Sequence, residues 1–251
     1  MSFVTSIINK FRSKPTFCSA IIAAAGFSSR MGGDDKLLLD INGKPVLVHA
    51  LAAFQNSGSI NEIIIVSTPD KFEHIGMLCR HYGIDKAIRI MAGGRTRAES
   101  VLNGILAVSK GAQVIAIHDG ARPCVDDGVI ARAISAVSKH HAVAPAVPVS
   151  STLKRAENRT VVETVDRNDL FEIQTPQVFT VDIIKAALQS AVDRSVDITD
   201  DCMAVELMGI PVYLSEGSRS NIKVTTSEDI VFAEVILRKH KEEADQVLKI
   251  V

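Results

Sequence analysis

No two of the four cysteines are close in sequence: Cys18, Cys79, Cys124 and Cys202 form no C-x-x-C pair. That argues against a zinc site or a disulfide framework and favours a reduced, cytoplasmic setting. Net charge is −1 at neutral pH, so there is no whole-molecule pull toward nucleic acid or an anionic membrane. Any anion site must come from local clustering of Arg and Lys. No apolar run is long enough to span a bilayer. The histidines, His140-His141 included, show no metal-ligand spacing. There is no Gly-x-Ser-x-Gly elbow and no Gly-x-x-x-x-Gly-Lys-[Ser/Thr] loop, which argues against the serine-hydrolase and P-loop chemistries. Internal repeats and low-complexity tracts are also missing.

What the chain does have is apolar mass. At 251 residues and 47% hydrophobic content it can bury a full core as one large domain, with or without a projecting arm. The organising stretch runs from Ala20 to Lys36. Its apolar start, Ala20-Ile21-Ile22-Ala23-Ala24, reads as a buried parallel strand. It turns abruptly into small residues, Gly26, Ser28, Ser29, Gly32 and Gly33, with two cations, Arg30 and Lys36. Small residues let successive backbone N–H groups approach an anion closely. On these residues alone the stretch reads equally as a phosphate loop or as an ordinary strand–loop–helix connection.

Apolar runs then alternate with helical patterns. Strands are predicted at 18–24, 61–67, 86–91, 113–118 and 142–149, and helices at 45–57, 70–82, 97–109, 126–140, 180–192, 199–208 and 226–243. Pro45 suits a first helical position, and Thr226 with Asp229 resembles an N-terminal capping signal. Strands alternating with helices predict a mostly parallel sheet covered on both faces. Residues 148–178 break the rhythm: they are polar, with Val161, Val162 and Val165 alternating among charges. This predicts an extended hairpin arm that packs on something other than its own domain, most naturally a second copy. Residues 1–16, with Lys10, Arg12 and Lys14 among spaced apolar residues, read as a loosely attached extension.

Ligands of open α/β sheets bind outside the carboxyl ends of the strands, so the residues there matter most. After the third predicted strand comes Gly93-Gly94-Arg95-Thr96-Arg97-Ala98-Glu99-Ser100, a glycine pair leading into a helix. After the fourth comes His118-Asp119-Gly120-Ala121-Arg122-Pro123. A carboxylate and a guanidinium at that spacing can hold a ligand, or can simply close the turn as a salt bridge. Later segments place single polar or cationic groups among apolar flanks: Ser151-Thr152-Leu153-Lys154-Arg155, Thr164-Val165-Asp166-Arg167, Gln174-Thr175-Pro176-Gln177 and Asn221-Ile222-Lys223-Val224-Thr225.

In this order, together with Ala24-Ala25-Gly26-Phe27-Ser28-Ser29-Arg30-Met31, Gly43-Lys44-Pro45-Val46-Leu47 and Thr199-Asp200-Asp201, the segments resemble the 2-C-methyl-D-erythritol 4-phosphate cytidylyltransferase family over about residues 18–238. The chain departs from it at Asp35-Lys36-Leu37, where the family often has Pro-Lys-Gln, and at Arg95, where some members carry an acidic residue.

The resemblance implies a three-layer α/β/α Rossmann-like nucleotidyltransferase fold with a projecting β-hairpin arm. It implies an extension at 1–16, a cytidylyltransferase domain at 17–240 with the arm near 148–178, and a tail at 241–251. It implies transfer of CMP from CTP to a methylerythritol phosphate, with Mg²⁺ held through the CTP phosphates. Arg30, Lys36, Arg167 and Lys223 would be catalytic. Ala24, Ala25, Gly26, Gly94, Ser100, Asp119 and Gly120 would hold the nucleotide. Asp119, Arg122, Thr152, Arg167, Thr175 and Lys223 would hold the acceptor, with Thr152 and Arg167 reaching a neighbouring subunit's site in a homodimer. The rival readings are a ribitol 5-phosphate cytidylyltransferase, a Rossmann oxidoreductase, which the missing Gly-x-Gly-x-x-Gly of the first loop argues against, and a non-catalytic nucleotide sensor.

Overall fold

The structure is a computed structural model, and it describes residues 16–26 and 35–248. Its centre is an eight-stranded sheet. Strands β1 (Cys18–Ala23), β4 (Glu62–Ser67), β5 (Ala87–Ala92) and β6 (Val114–Asp119) form its parallel half, in the order β6-β1-β4-β5. β1 lies between β6 and β4, with Ile21 opposite Ile117 on one side and Ile64 on the other.

The strand sequences are apolar without a break because both faces are covered. Ala20 and Ile22 point into one core and Ile21 into the other, and Ile63 and Ile65 alternate with Ile64 and Val66 in the same way. The first core is closed by α1 (Val46–Asn56), α4 (Asp127–His140) and α7 (Ser227–Leu248), through Leu51, Phe54, Ile130 and Ala233. The second is closed by α3 (Arg97–Leu106), α5 (Val181–Asp193) and α6 (Asp201–Glu206), through Val101, Ile105, Leu188 and Val205. Each fully buried isoleucine contributes about 1.5–3 kcal/mol, so the alternation fixes the register of every central strand. The remaining long helix, α2 (Phe72–His81), buries Ile75 against the first core.

Helix starts follow local chemistry. Thr96, Asp126 and Asp200 accept hydrogen bonds from the backbone N–H groups of Glu99, Val129 and Met203. Pro45 sits one residue earlier than predicted. It is the cap of α1, with an extended ψ of 146°, and Val46 is the first helical residue. Asp229 accepts from the N–H groups of both Thr225 and Thr226, as the capping signal anticipated.

The predicted arm is the largest revision. The free-standing hairpin is shorter than 148–178: it is β8 (Leu153–Glu157) against β9 (Thr160–Val165), a two-stranded sheet of its own. The chain then returns to the main sheet. β10 (Phe171–Ile173) and β11 (Gln177–Thr180) pair antiparallel with β7 (Ala142–Pro148), and β11 also pairs antiparallel with β6. Gln177, Val178 and Phe179 are buried, so this segment is retained by the core while the charged hairpin is not. β12 (Tyr213–Glu216) covers the far side of β7 in parallel. It was not predicted, because as an edge strand it buries only Ser215. A small ribbon of β2 (Asp40–Ile41) and β3 (Lys44–Pro45) leads into α1.

Candidate active site

The carboxyl ends of β1, β4, β5 and β6 open on one rim, and two adjoining clefts lie there. The first, about 230 Å³, is lined by Ala25, Gly26, Gly94, Thr96, Arg97 and Ser100, among others. Small side chains make it. A Cβ on Gly94 would fall 2.3 Å from the Cβ of Glu99 and 2.8 Å from its Oε2, so only glycine lets this turn close. The turn is held by its own hydrogen bonds. Gly94 N–H donates to Ser100 Oγ at 2.9 Å, Ser100 Oγ donates to the Thr96 carbonyl at 2.8 Å, and Arg95 N–H donates to Glu99 Oε2 at 2.7 Å. Ala24 lies beneath the cleft, pinned by its N–H on the Val66 carbonyl at 2.7 Å.

The second cleft, about 650 Å³, is lined by Arg97, Asp119, Arg122, Thr175, Gln177, Asp200 and Lys223, among others. Asp119, the last residue of β6, is its electrostatic centre. Lys223 Nζ lies 2.8 Å from Asp119 Oδ2, Arg97 Nη1 3.1 Å from Oδ1, and Arg122 Nε 3.6 Å from Oδ2. Burial alone would push this carboxyl up, but Arg97, Lys223 and Arg122 outweigh it and hold it well below the usual carboxylate range. The Asp119–Arg122 pair left open by the sequence is therefore both things at once: a salt bridge across the turn and part of a cleft wall. Arg122 Nη1 also donates to the Asn221 carbonyl at 2.7 Å, which ties this turn to the segment carrying Lys223. Gly120 donates its N–H to the Ala23 carbonyl at 3.0 Å, supporting the rim from below.

Arg97 lines both clefts. Its other nitrogen, Nη2, donates to Asp201 Oδ2 at 2.6 Å, and Asp201 has no exposed surface. Burial pushes the Asp201 carboxyl up against the pull of Arg97. Arg97 and Asp201 stand within the sequence motifs, which by themselves assign neither a role. The signal for Asp201 was masked by its neighbour: in an acidic pair at a helix start, Asp200 takes the capping position and frees Asp201 to pair with the arginine. Gln177 fastens the same corner, accepting from Asp201 N–H at 2.9 Å and donating to Asp200 Oδ2 at 2.7 Å.

The other predicted residues divide. Arg30 falls in 27–34, outside the described residues. Lys36 is described, just after Asp35, whose Oδ2 lies 2.8 Å from Lys71 Nζ. The negative charge beside Lys36 is thus matched by a cation from another element. Thr152 and Arg167 lie at the root of the hairpin, both exposed. Arg167 donates to the Ser150 carbonyl, and neither residue is among those lining the two clefts.

A mostly parallel sheet with a small-residue cleft at its rim, sharing one arginine with a second cleft centred on a carboxylate and three cations, defines a nucleotidyltransferase of the Rossmann-like α/β/α class. The family model for 2-C-methyl-D-erythritol 4-phosphate cytidylyltransferase matches residues 18–239. The enzyme of that name from Halalkalibacterium halodurans is 42% identical over 220 residues, covering 87% of this chain and 96% of the relative. Its counterpart from Caldanaerobacter subterraneus subsp. tengcongensis is 44% identical over 225 residues, covering 88% and 99%. Among solved structures, a 4-diphosphocytidyl-2C-methyl-D-erythritol synthase from Anaerococcus prevotii superposes with a TM-score of 0.79 at 32% identity, covering 90% of this chain and all of that one. The chain belongs to the 2-C-methyl-D-erythritol 4-phosphate cytidylyltransferase family.

Proposed function

We propose that the chain transfers CMP from CTP to 2-C-methyl-D-erythritol 4-phosphate, giving 4-diphosphocytidyl-2-C-methyl-D-erythritol and pyrophosphate. The observation that carries this reading is the shared wall: Arg97 stands between a small-residue cleft and a cleft holding Asp119, Arg122 and Lys223. A phosphate oxygen of the acceptor bonds to the α-phosphorus of CTP, and the bond to the β-phosphate bridging oxygen breaks. Both reactants are anions, so the protein's work is to bring them together and offset their repulsion.

Ala24, Ala25, Gly26, Gly94 and Ser100, with Asp119 and Gly120, hold the nucleotide. Arg30 and Lys36 stabilise charge on the pentavalent transition state and the departing pyrophosphate. Arg122, Thr175 and Asp119 hold the acceptor's polyol, and Lys223 with Arg167 places its phosphate. A magnesium ion would be held through the triphosphate oxygens rather than by side chains, because both oxygens of Asp119 already face Arg97, Lys223 and Arg122. When bound it neutralises part of the triphosphate charge.

The working form in this reading is a homodimer joined through the hairpin. Support comes from its surface: Val161 and Val162 are 57% and 56% exposed, and Leu153 and Phe171 are also exposed. Exposed valines on both faces of the hairpin suit burial against a second copy, whose cleft Thr152 and Arg167 would then complete. Mixing Arg167→Ala with Arg30→Ala subunits restores part of the activity if the site is shared, and restores none if it is not. Among the described residues no helix is long and apolar enough to cross a membrane, and all four cysteines are unpaired.

The deciding experiment is CTP-dependent pyrophosphate release with methylerythritol phosphate, with and without Mg²⁺, beside ribitol 5-phosphate as the competing acceptor. Faster turnover of ribitol 5-phosphate would reassign the acceptor. Stabilisation against heat by NAD(H) rather than CTP would overturn the nucleotide.

A further inference from the structure

One buried side chain behind the second cleft has no part in the chemistry just described. His118, the penultimate residue of β6, is fully buried, its ring 4.8 Å from that of Phe54. Its two nitrogens meet different loops. Nε2 lies 3.2 Å from the carbonyl oxygen of Arg122. Nδ1 lies 2.9 Å from the Thr175 hydroxyl oxygen. A carbonyl only accepts, so Nε2 must carry the hydrogen. Burial holds the imidazole pKa down to about 4, so the ring has a single proton to place at neutral pH. Nδ1 is then a bare lone pair, and the Thr175 hydroxyl donates to it.

The same hydroxyl oxygen accepts the Asp119 N–H at 3.2 Å. A hydroxyl has one hydrogen to give and two lone pairs. The hydrogen is given to His118 and one lone pair is taken by Asp119. What Thr175 can offer the cleft it lines is the second lone pair.

We propose that His118 is a positioning residue that turns the Thr175 hydroxyl proton inward, so that Thr175 accepts from an acceptor hydroxyl and disfavours the acceptor phosphate. A polyol O–H can donate to that lone pair, whereas a phosphate oxygen has no proton to donate and would meet a lone pair with a lone pair. The polyol is thereby drawn to Thr175, and the phosphate is left to Lys223 and Arg167. The polarity of the acceptor in the cleft follows from one proton on one buried ring. This rests on the proposed function for the identity of the acceptor, while the direction of the proton rests on the protein alone.

Two measurements test it. In the full chain labelled with ¹⁵N-histidine, two-bond ¹H–¹⁵N spectra should show His118 as the neutral Nε2–H tautomer, unchanged between pH 8 and pH 5. The Nδ1–H form, or a fast mixture of the two, would overturn the proposal. In kinetics, His118→Phe removes both ring nitrogens, and it should raise the KM for methylerythritol phosphate about tenfold while leaving the KM for CTP within about twofold. His118→Asn, which can return an acceptor near Nδ1, should recover most of the loss. Equal rises in both KM values, or no recovery with asparagine, would reduce His118 to a packing residue. If the phenylalanine variant fails to fold, the spectrum of the unaltered chain still decides. If the unaltered chain turns over no methylerythritol phosphate, the functional reading fails, and the spectrum independently supports or overturns the direction of the proton.

Discussion

Replacing Arg97 with glutamine strands a carboxylate. Asp201 has no exposed surface, its Oδ2 is held by Arg97 Nη2 at 2.6 Å, and its Oδ1 has no partner. Without the guanidinium the folded protein has one cheaper option than keeping a bare buried charge, which is to protonate it. Holding a carboxyl of ordinary pKa near 3.9 in its neutral form at pH 7 costs about 4 kcal/mol, at about 1.4 kcal/mol for each pH unit. That figure caps the loss, and it falls within the range of about 3–5 kcal/mol for breaking a buried ion pair. Asp119 adds little to it, because Lys223 and Arg122 remain. Arg97→Gln should therefore lose up to about 4 kcal/mol at pH 7 and no more than about 1.5 kcal/mol at pH 5, where the carboxyl protonates more readily.

Urea unfolding followed by circular dichroism at the two pH values reads this directly. Arg95→Gln is the control. That side chain is 91% exposed in its pair with Glu99, and the loss should stay below about 0.5 kcal/mol. Arg97→Gln combined with Asp201→Asn should recover most of the stability, since no unpaired charge is left buried. A loss from Arg97→Gln no larger than the control, or one that does not shrink toward pH 5, would refute the reasoning.

Three other outcomes follow from the same geometry. Lys36→Ala should lower kcat by about 10²–10³ with little change in CTP affinity, as for a charge acting in the transition state; a weakened CTP Kd with kcat intact would contradict the role. Gly94→Ala must displace Glu99 from its bond to Arg95 N–H, so the KM for CTP should rise at least tenfold while methylerythritol phosphate binding, measured calorimetrically, changes little. The third concerns pH. His118 has its pKa lowered from 6.5 to about 4 by burial, so between those values the unfolded chain binds a proton that the folded chain refuses. Stability therefore falls as pH drops through that window, by about 3 kcal/mol in total. His49, also held down by burial, acts in the same direction, so the difference between unaltered and His118→Phe protein isolates the His118 share. Asp119, whose carboxyl is held low, adds its loss only as pH falls below its ordinary value of 3.8. A stability profile that His118→Phe leaves equally steep from pH 6.5 to 4 would refute the assignment.

The order of elements was legible because it is written locally. The run at 18–24 cannot face water on either side, the period of 97–109 places Val101 and Ile105 on one face, and Asp229 marks a helix start within a few residues of itself. The strand-end rule then brings Gly94, Asp119 and Arg122 to one rim, whereas Lys223 joins them only through the family resemblance. The Pro148–Val178 stretch was harder. Its charge pattern gave the hairpin but not its limits, since whether Gln177-Val178-Phe179 leaves the domain or enters it depends on the slot between β6 and β7, which no local pattern describes.

The amino-acid sequence by itself determined the alternation of strand and helix, the two-sided burial of the sheet and the collection of cations at its carboxyl edge, because periodicity, capping and burial act over a few residues at a time. Only the tertiary structure decided that Arg97 forks between Asp119 and Asp201 and that His118 joins the Arg122 carbonyl to Thr175. Asp119 and Asp201 lie 22 and 104 residues from Arg97, and Thr175 lies 57 from His118, and an ion pair or a hydrogen bond exists only where folding has brought its two halves within about 3 Å.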